Sequence, residues 1–116
     1  MRKENVKTEE DVMRFLSDRT QFERDVLLAT FRIPRGKVST YKRVAEKIGR
    51  PRAYRAAGNA LHKNPLAPIV PCHRVIRSDG RFGGPTDAAE ARMKHLQEEG
   101  VRVEKGRVKL TEDILY

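Results

Sequence analysis

The chain has 116 residues and a single cysteine, Cys72, which lies among residue types that can do chemistry. Pro71 precedes it, and His73 and Arg74 follow. Cationic neighbours favour the thiolate, the form of cysteine that attacks electrophiles, and His73 is a candidate base. A base needs a group that orients it, and Glu99 is the candidate if the last predicted helix packs on this motif. The alternative for a cysteine between apolar residues is a small buried hydrophobic side chain.

Several other kinds of chemistry find no support in the sequence. One thiolate without a ligand at a typical spacing is a poor zinc pattern, so no metal site is expected, and no phosphate loop or dinucleotide fingerprint is present. A lone cysteine forms no internal disulfide, and the charged start has no apolar signal region. No run approaches the roughly 18 apolar residues of a membrane span. We therefore expect a cytoplasmic protein without a cofactor.

The positive charge is concentrated in one segment. The net charge is +9, and the segment from Arg32 to Lys63 contains ten basic residues and one acid, Glu46. The rest of the chain is therefore balanced in charge. Such a patch predicts a nucleic-acid partner; the alternative is a solvated basic surface.

Apolar spacing and end signals predict five helices. Residues 1–8 read as a polar, frayed start, and Thr8 caps the first helix, whose apolar stripe contains Val12, Phe15 and Leu16. The second is expected to bury Phe22, Val26 and Ala29, and the third is capped by Ser39 or Thr40. The last is capped by Thr86 or Asp87. The later four helices are predicted at about 21–31, 41–48, 53–62 and 88–98.

The third and fourth helices are joined by Gly49 and Pro51, which end one helix and start a turn. Two short basic helices joined in this way indicate a helix-turn-helix unit. Prolines are expected to hold residues 65–71 extended, with short strands on both sides of Cys72, and residues 101–110 alternate as a hairpin. The prediction is one α+β domain over residues 1–116, winged-helix-like, with a C-terminal hairpin.

The segment Pro71-Cys72-His73-Arg74-Val75 resembles the active-site signature of the O6-alkylguanine-DNA alkyltransferases. The resemblance extends from about Phe22 to Val103, most of that family's C-terminal domain, and we expect its N-terminal domain to be absent. It includes further motifs in the family's order: Ile33-Pro34-x-Gly36-x-Val38-Ser39-Thr40-Tyr41, Gly49-x-Pro51, Arg55-Ala56-x-Gly58-x-Ala60, Asn64-Pro65 and Glu99-Gly100.

The resemblance implies a stoichiometric, irreversible transfer of an alkyl group from guanine O6 to Cys72. His73 would take the thiol proton through a water, and Glu99 would hold its imidazole. Tyr41 would give a proton to the departing guanine, and Asn64 would brace the loop.

The resemblance also implies that the fourth helix enters the minor groove of duplex DNA with alkylated guanine. Arg55 would fill the gap left when the damaged base is flipped out. The implied DNA contacts are Thr40, Tyr41, Arg43, Arg50, Arg52, Arg55, Ala56, Gly58 and Arg74. The implied alkyl pocket consists of Leu61, Val75, Pro85 and Thr86. A monomer is expected, and the remaining histidines, His62 and His95, are interpreted as solvated.

Besides the expected absence of the N-terminal domain, the pocket loop departs from the family. After Gly83-Gly84 the usual tyrosine and paired glycines are replaced by Pro85, Thr86, Asp87 and Ala88, and the usual lysine is Arg92. A short chain with an altered loop is also similar to alkyltransferase-like proteins, which bind alkylated DNA and flag it for excision-repair proteins. Those typically have tryptophan in place of the cysteine, whereas this chain has no tryptophan, which favours transfer. A generic DNA-binding regulator with a buried Cys72 is the third alternative.

Overall fold

The computed structural model describes residues 1–84 and 86–116, without the side chains of Thr86 and Asp87. Its helices are α1 Glu9–Phe15, α2 Gln21–Phe31, α3 Tyr41–Lys47, α4 Tyr54–His62 and α5 Thr86–Glu98. Its strands are β1 Ser39–Thr40, β2 Val75–Ile76, β3 Val103–Glu104 and β4 Arg107–Val108. Strands β1 and β2 pair in parallel, and β3 and β4 form the predicted hairpin. The α+β prediction is confirmed.

Threonine side chains fix the starts of three helices. Thr8 Oγ1 accepts the N–H of Asp11, whose carboxylate accepts the N–H of Thr8 in return, so α1 begins with a capping box. Thr20 caps α2, and Thr40 caps α3 by accepting the N–H of Arg43. Each cap satisfies a backbone donor that the first turn of a helix leaves free.

The core lies in two clusters. The larger one joins α1, α2, α3 and α4 through buried side chains that include Leu16, Leu27, Val44 and Leu61. The smaller one lies under α5 and the hairpin and contains Val38, Ile76, Leu96, Val101 and Val108. The parallel β1–β2 pair, with Ser39 beside Val75, joins the helix-turn-helix to the segment that carries Cys72.

The hairpin is fastened to the turn after β2. The N–H of Val108 donates to the carbonyl of Gly80 at 2.8 Å, and Lys105 and Gly106 turn the chain with positive φ. The turn at Ser78 and Asp79 is therefore held in place by β4.

Four expectations differ from the structure. The start of the chain is not frayed, because residues 3–5 form a 3₁₀ turn and Val6 is 3% exposed in the larger cluster. Leu27 is fully buried, although the apolar spacing did not single it out. The stretch before Cys72 is a series of turns, with the N–H of Val70 donating to Leu66 at 2.9 Å, rather than extended.

The fourth difference is the last helix, which begins at Thr86, two residues before its predicted start. The proposed caps at Thr86 and Asp87 concern side chains outside the described residues. In the described part of the chain, none of the helices combines the length and apolarity that a membrane span requires.

Candidate active site and nucleic-acid interface

Cys72 begins a 3₁₀ turn that ends at Arg74, directly before β2. The N–H of Arg74 donates to the Pro71 carbonyl and the N–H of Cys72 to the Val70 carbonyl, both at 2.9 Å. Cys72 is half-buried against the larger core cluster. The turn therefore holds the sulfur on a rigid segment that still has contact with solvent.

Asn64 connects this segment to the end of α4. Its amide Nδ2 donates to the Val70 carbonyl at 2.8 Å, and its Oδ1 accepts the N–H of Leu66 at 2.9 Å. The Val70 carbonyl thus accepts from both Asn64 and Cys72, so Asn64 links the end of α4 to the Cys72 segment.

A buried carboxylate joins the two residues that follow Cys72. His73 Nε2 lies 2.7 Å from Glu99 Oε2, and both side chains are 6% exposed. Arg74 donates to both oxygens of Glu99, from Nε at 2.8 Å and from Nη2 at 2.9 Å. The backbone N–H of Gly36 adds a longer contact at 3.4 Å. The last helix therefore packs on the motif, which was the condition for Glu99 to orient His73.

The charges of this group follow from its contacts. Burial alone raises the pKa of Glu99, but the hydrogen bonds from Arg74 and His73 outweigh it and lower the pKa to about 2. Burial lowers the pKa of His73, against the opposing effect of Glu99. His73 is therefore neutral near pH 7, and since a carboxylate only accepts, Nε2 carries the proton. Nδ1 keeps a free lone pair, as a base requires.

Tyr41, the first residue of α3, is enclosed by the loop that precedes α5. Arg92 Nη1 donates to the Gly83 carbonyl at 3.0 Å and to the Tyr41 hydroxyl oxygen at 3.4 Å. A Cβ on Gly83 would lie 2.8 Å from that hydroxyl, so a larger residue there would displace the Tyr41 ring. Burial raises the pKa of Tyr41, while the Arg92 guanidinium acts to lower it. Tyr41 is thus a neutral hydroxyl with its proton available for donation.

Only some of the predicted DNA contacts are exposed to solvent in the structure. Arg50, Arg52 and Arg55 are exposed, as is Ala56 on the outer side of α4. Asn59 and Lys63 follow on the same exposed side and were not among the predicted contacts. Their signal was helical spacing: Asn59 follows Ala56 by three residues and Arg55 by four, and Lys63 follows Asn59 by four.

Four predicted DNA contacts are engaged within the protein. Arg74 is occupied by Glu99 and by the Ile33 carbonyl at 2.7 Å. Arg43 Nε donates to the Tyr116 carbonyl at 2.9 Å. Thr40 is 4% exposed and uses its side chain as the cap of α3. Gly58 faces the Tyr41 ring, and a Cβ added to Gly58 would lie 3.6 Å from Cδ1 of that ring. The side chains of Arg74 and Thr40 therefore make hydrogen bonds within the protein that stabilise the fold.

The predicted alkyl pocket is described only in part. Leu61 and Val75 are buried in the cluster against which Cys72 packs. Pro85 and the side chain of Thr86 lie outside the described residues. Over the described ranges 1–84 and 86–116, no three or more His, Cys, Asp or Glu side chains are grouped as metal ligands would be.

The remaining histidines are exposed, as expected, but each contacts a site residue. The His95 ring stacks on His73 with centroids 5.0 Å apart, and His62 meets the Tyr41 ring edge-on at 6.4 Å. Neither contact was predicted, because sequence spacing does not place α5 beside the Cys72 turn or the end of α4 beside Tyr41.

Most of the chain, including these site residues, matches a known protein family. The family model for the 6-O-methylguanine DNA methyltransferase DNA-binding domain matches residues 21–101. The methylated-DNA–protein-cysteine methyltransferase of Methanosarcina barkeri is 45% identical over 72% of this chain and 54% of that protein. That of Methanothermobacter thermautotrophicus is 42% identical over 73% of this chain and 47% of that protein. The chain thus spans about half the length of these curated relatives.

Two solved structures are similar in fold. The Mycobacterium tuberculosis OGT in complex with DNA has a TM-score of 0.67 and 38% identity, covering 75% of this chain and 54% of that one. The S. pombe Atl1 in complex with damaged DNA containing O6-carboxymethylguanine has a TM-score of 0.74 and 32% identity. That match covers 83% of this chain and 94% of Atl1.

Proposed function

Because the chain belongs to the family of the 6-O-methylguanine DNA methyltransferase DNA-binding domain, we propose that it repairs DNA by accepting an alkyl group from O6-alkylguanine onto Cys72. The observation that carries the proposal is the 2.7 Å contact between His73 Nε2 and Glu99 Oε2, beside the only cysteine of the chain. Cys72, His73, Glu99 and Tyr41 all lie within the matched residues 21–101. The proposed machinery is thus inside the half of the relatives that this chain represents.

The reaction is a single displacement. His73 Nδ1 takes the thiol proton of Cys72 through a water, and Sγ attacks the alkyl carbon as its bond to guanine O6 breaks. The products are a thioether on Cys72 and guanine. Tyr41 donates its hydroxyl proton to the departing base, so that guanine leaves neutral, and the Tyr41 oxygen regains a proton from His73 through water. The thioether is stable, so each protein molecule reacts once, without a cofactor.

Arg92 supports this proton transfer from the other side of Tyr41. Its guanidinium donates into the hydroxyl oxygen and holds the Gly83 carbonyl. A cation at this position stabilises negative charge on the oxygen as the proton leaves. Arg92 therefore orients the hydroxyl and offsets part of the rise in its pKa that burial causes.

Access to the damaged base requires flipping, because a duplex hides guanine O6 from a half-buried thiol. We propose that α4 lies in the minor groove, where its exposed Ala56 permits close approach and sequence is read weakly. Arg55 enters the stack in place of the flipped base, and Arg50, Arg52 and Lys63 contact phosphates. A monomer suffices for this arrangement.

Loss of the lesion from DNA tests the proposal. A duplex with one O6-methylguanine is incubated with increasing protein, digested, and analysed for methylated and unmodified guanine by chromatography. Conversion should stop at one lesion per protein molecule, and Cys72→Ala should convert none. Repeated turnover, or conversion by Cys72→Ala, would contradict a stoichiometric acceptor at Cys72.

A second candidate function is damage recognition without transfer, followed by recruitment of excision-repair proteins. It is favoured by one observation, that the fold matches Atl1 with a TM-score of 0.74 and Mycobacterium tuberculosis OGT with a TM-score of 0.67. Under this alternative the protein binds the lesion tightly and the methylated guanine persists. The same chromatographic assay therefore separates the two functions.

A further inference from the structure

A groove of about 460 Å³ opens beside Tyr41, between the start of α4 and the turn after β2. Binding sites for small ligands generally have volumes of about 300 to 1,000 Å³, so one nucleotide unit fits. The proposed reaction uses the hydroxyl of Tyr41 and none of the other lining residues. The groove is lined by Tyr41, Lys42, Tyr54, Arg77, Ser78 and Asp79.

Tyr54 lines this groove, and much of its side chain is exposed to solvent. It is 44% exposed, and among the described residues only Met1 is another large hydrophobic side chain with such exposure. Tyr54 lies four residues before Gly58, whose Cα faces the Tyr41 ring, and residues four apart share one face of a helix. The Tyr54 ring is therefore on the side of α4 that faces the groove. Arg55, the next residue, lies about 100° around the helix.

The groove also carries positive charge. Lys42 is exposed on its rim, and Arg77 Nη2 lies 3.0 Å from Asp79 Oδ2 in an exposed ion pair. Asp79 Oδ1 accepts the N–H of Arg81, so the one acid of the groove is engaged twice. Because this ion pair is exposed to solvent it is weak, and Arg77 can exchange its partner for a phosphate. A flat aromatic surface between two cations suits a nucleotide.

We propose that this groove holds the nucleotide adjacent to the damaged one on the same strand. The Tyr54 ring stacks on its base, and Lys42 and Arg77 contact the flanking phosphates. The inference rests on the proposed function, because it requires DNA on α4. Arg55 then occupies the gap in the duplex while Tyr54 holds the strand from which the damaged base departs.

Binding measurements on Tyr54 variants test the stacking. All variants carry Cys72→Ala, so that no transfer occurs, and bind a labelled duplex with one O6-methylguanine, followed by fluorescence anisotropy. Tyr54→Ala should bind about tenfold more weakly, within the range for a base stacked on an aromatic ring, with an unchanged salt dependence. Tyr54→Phe keeps the ring and should bind within about twofold of the parent.

The phosphate contacts are tested by salt. Lys42→Gln and Arg77→Gln should each reduce the log–log slope of affinity against salt by about 1, because one fewer counterion is released. Arg107→Gln on the exposed hairpin is the matched control and should leave the slope unchanged. A slope that is unchanged in Lys42→Gln and Arg77→Gln would show that these two residues do not contact phosphates.

A fluorescent base next to the lesion locates the ring directly. 2-Aminopurine at the adjacent position should be dimmer in the complex with the parent, where it stacks on the Tyr54 ring, than in the complex with Tyr54→Ala. Parent-like affinity of Tyr54→Ala, or equal quenching by the two proteins, would refute the inference and leave the proposed function standing. A parent protein that binds no duplex would refute both.

Discussion

Replacing Glu99 by glutamine removes a buried charge and preserves the shape of the side chain. The carboxylate lies between Arg74 and His73 and is 6% exposed. Moving its pKa from an ordinary 4.5 to about 2 corresponds to about 3 kcal/mol of preferential stabilisation of the charged form. Removing one partner of a buried ion pair typically costs about 3 to 5 kcal/mol. Both routes predict that Glu99→Gln lowers the free energy of unfolding by about 3 kcal/mol at pH 7.

Urea unfolding between pH 7 and pH 2 measures this loss. A carboxyl group with a lowered pKa stabilises the fold fully above its unfolded value and loses that contribution as pH falls towards its folded value. The difference between the parent and Glu99→Gln should therefore be constant from pH 7 to about 5. It should shrink from there towards zero near pH 2, where the carboxylate becomes protonated.

The neighbouring residue supplies the control. Glu98 is exposed, and Glu98→Gln should change stability by less than about 0.5 kcal/mol. Adding Arg74→Met to Glu99→Gln should recover part of the loss, because it removes the uncompensated buried cation. A loss at pH 7 equal to that of Glu98→Gln, or a difference that persists unchanged at pH 2, would refute the assignment of this carboxylate.

Three further substitutions probe other parts of the account. Gly80→Ala, which would place a Cβ 2.3 Å from the Val108 carbonyl oxygen, should destabilise much more than Gly49→Ala, which has similar positive φ but open space. Equal shifts of the two melting temperatures would contradict this. Arg92→Met should slow alkyl transfer with little change in duplex affinity, and Arg92→Lys should restore much of the rate. A parent-like rate in Arg92→Met would show that Arg92 does not assist proton donation by Tyr41. Arg55→Ala should slow transfer from duplex far more than from single-stranded DNA, and equal slowing would reduce Arg55 to a phosphate contact.

Features determined by neighbouring residues were predictable from the sequence. The caps at Thr8 and Thr40 depend on side chains and N–H groups three residues apart, and both are present. Gly49 has positive φ after α3, as its position predicted. Periodicity likewise located α2 and α4 to within a residue of their ends.

Features that depend on distant partners were not predictable in the same way. The resemblance implies that Arg74 contacts DNA, yet its partners are Glu99 and the Ile33 carbonyl, 25 and 41 residues away. Val6 reads as part of a polar tail because its burial depends on helices that follow it in the chain. The contact of His73 with Glu99 was expected only if α5 packed on the motif, and family resemblance rather than spacing supplied that expectation.

Mass spectrometry of the intact protein after incubation with an O6-methylguanine duplex tests the central claim most directly. We expect the protein to gain the mass of one methyl group, with peptide mapping placing it on Cys72. Undamaged duplex and the Cys72→Ala variant should give no gain. An unchanged mass in protein that binds the lesion tightly, or a methyl group on a different residue, would contradict transfer to Cys72.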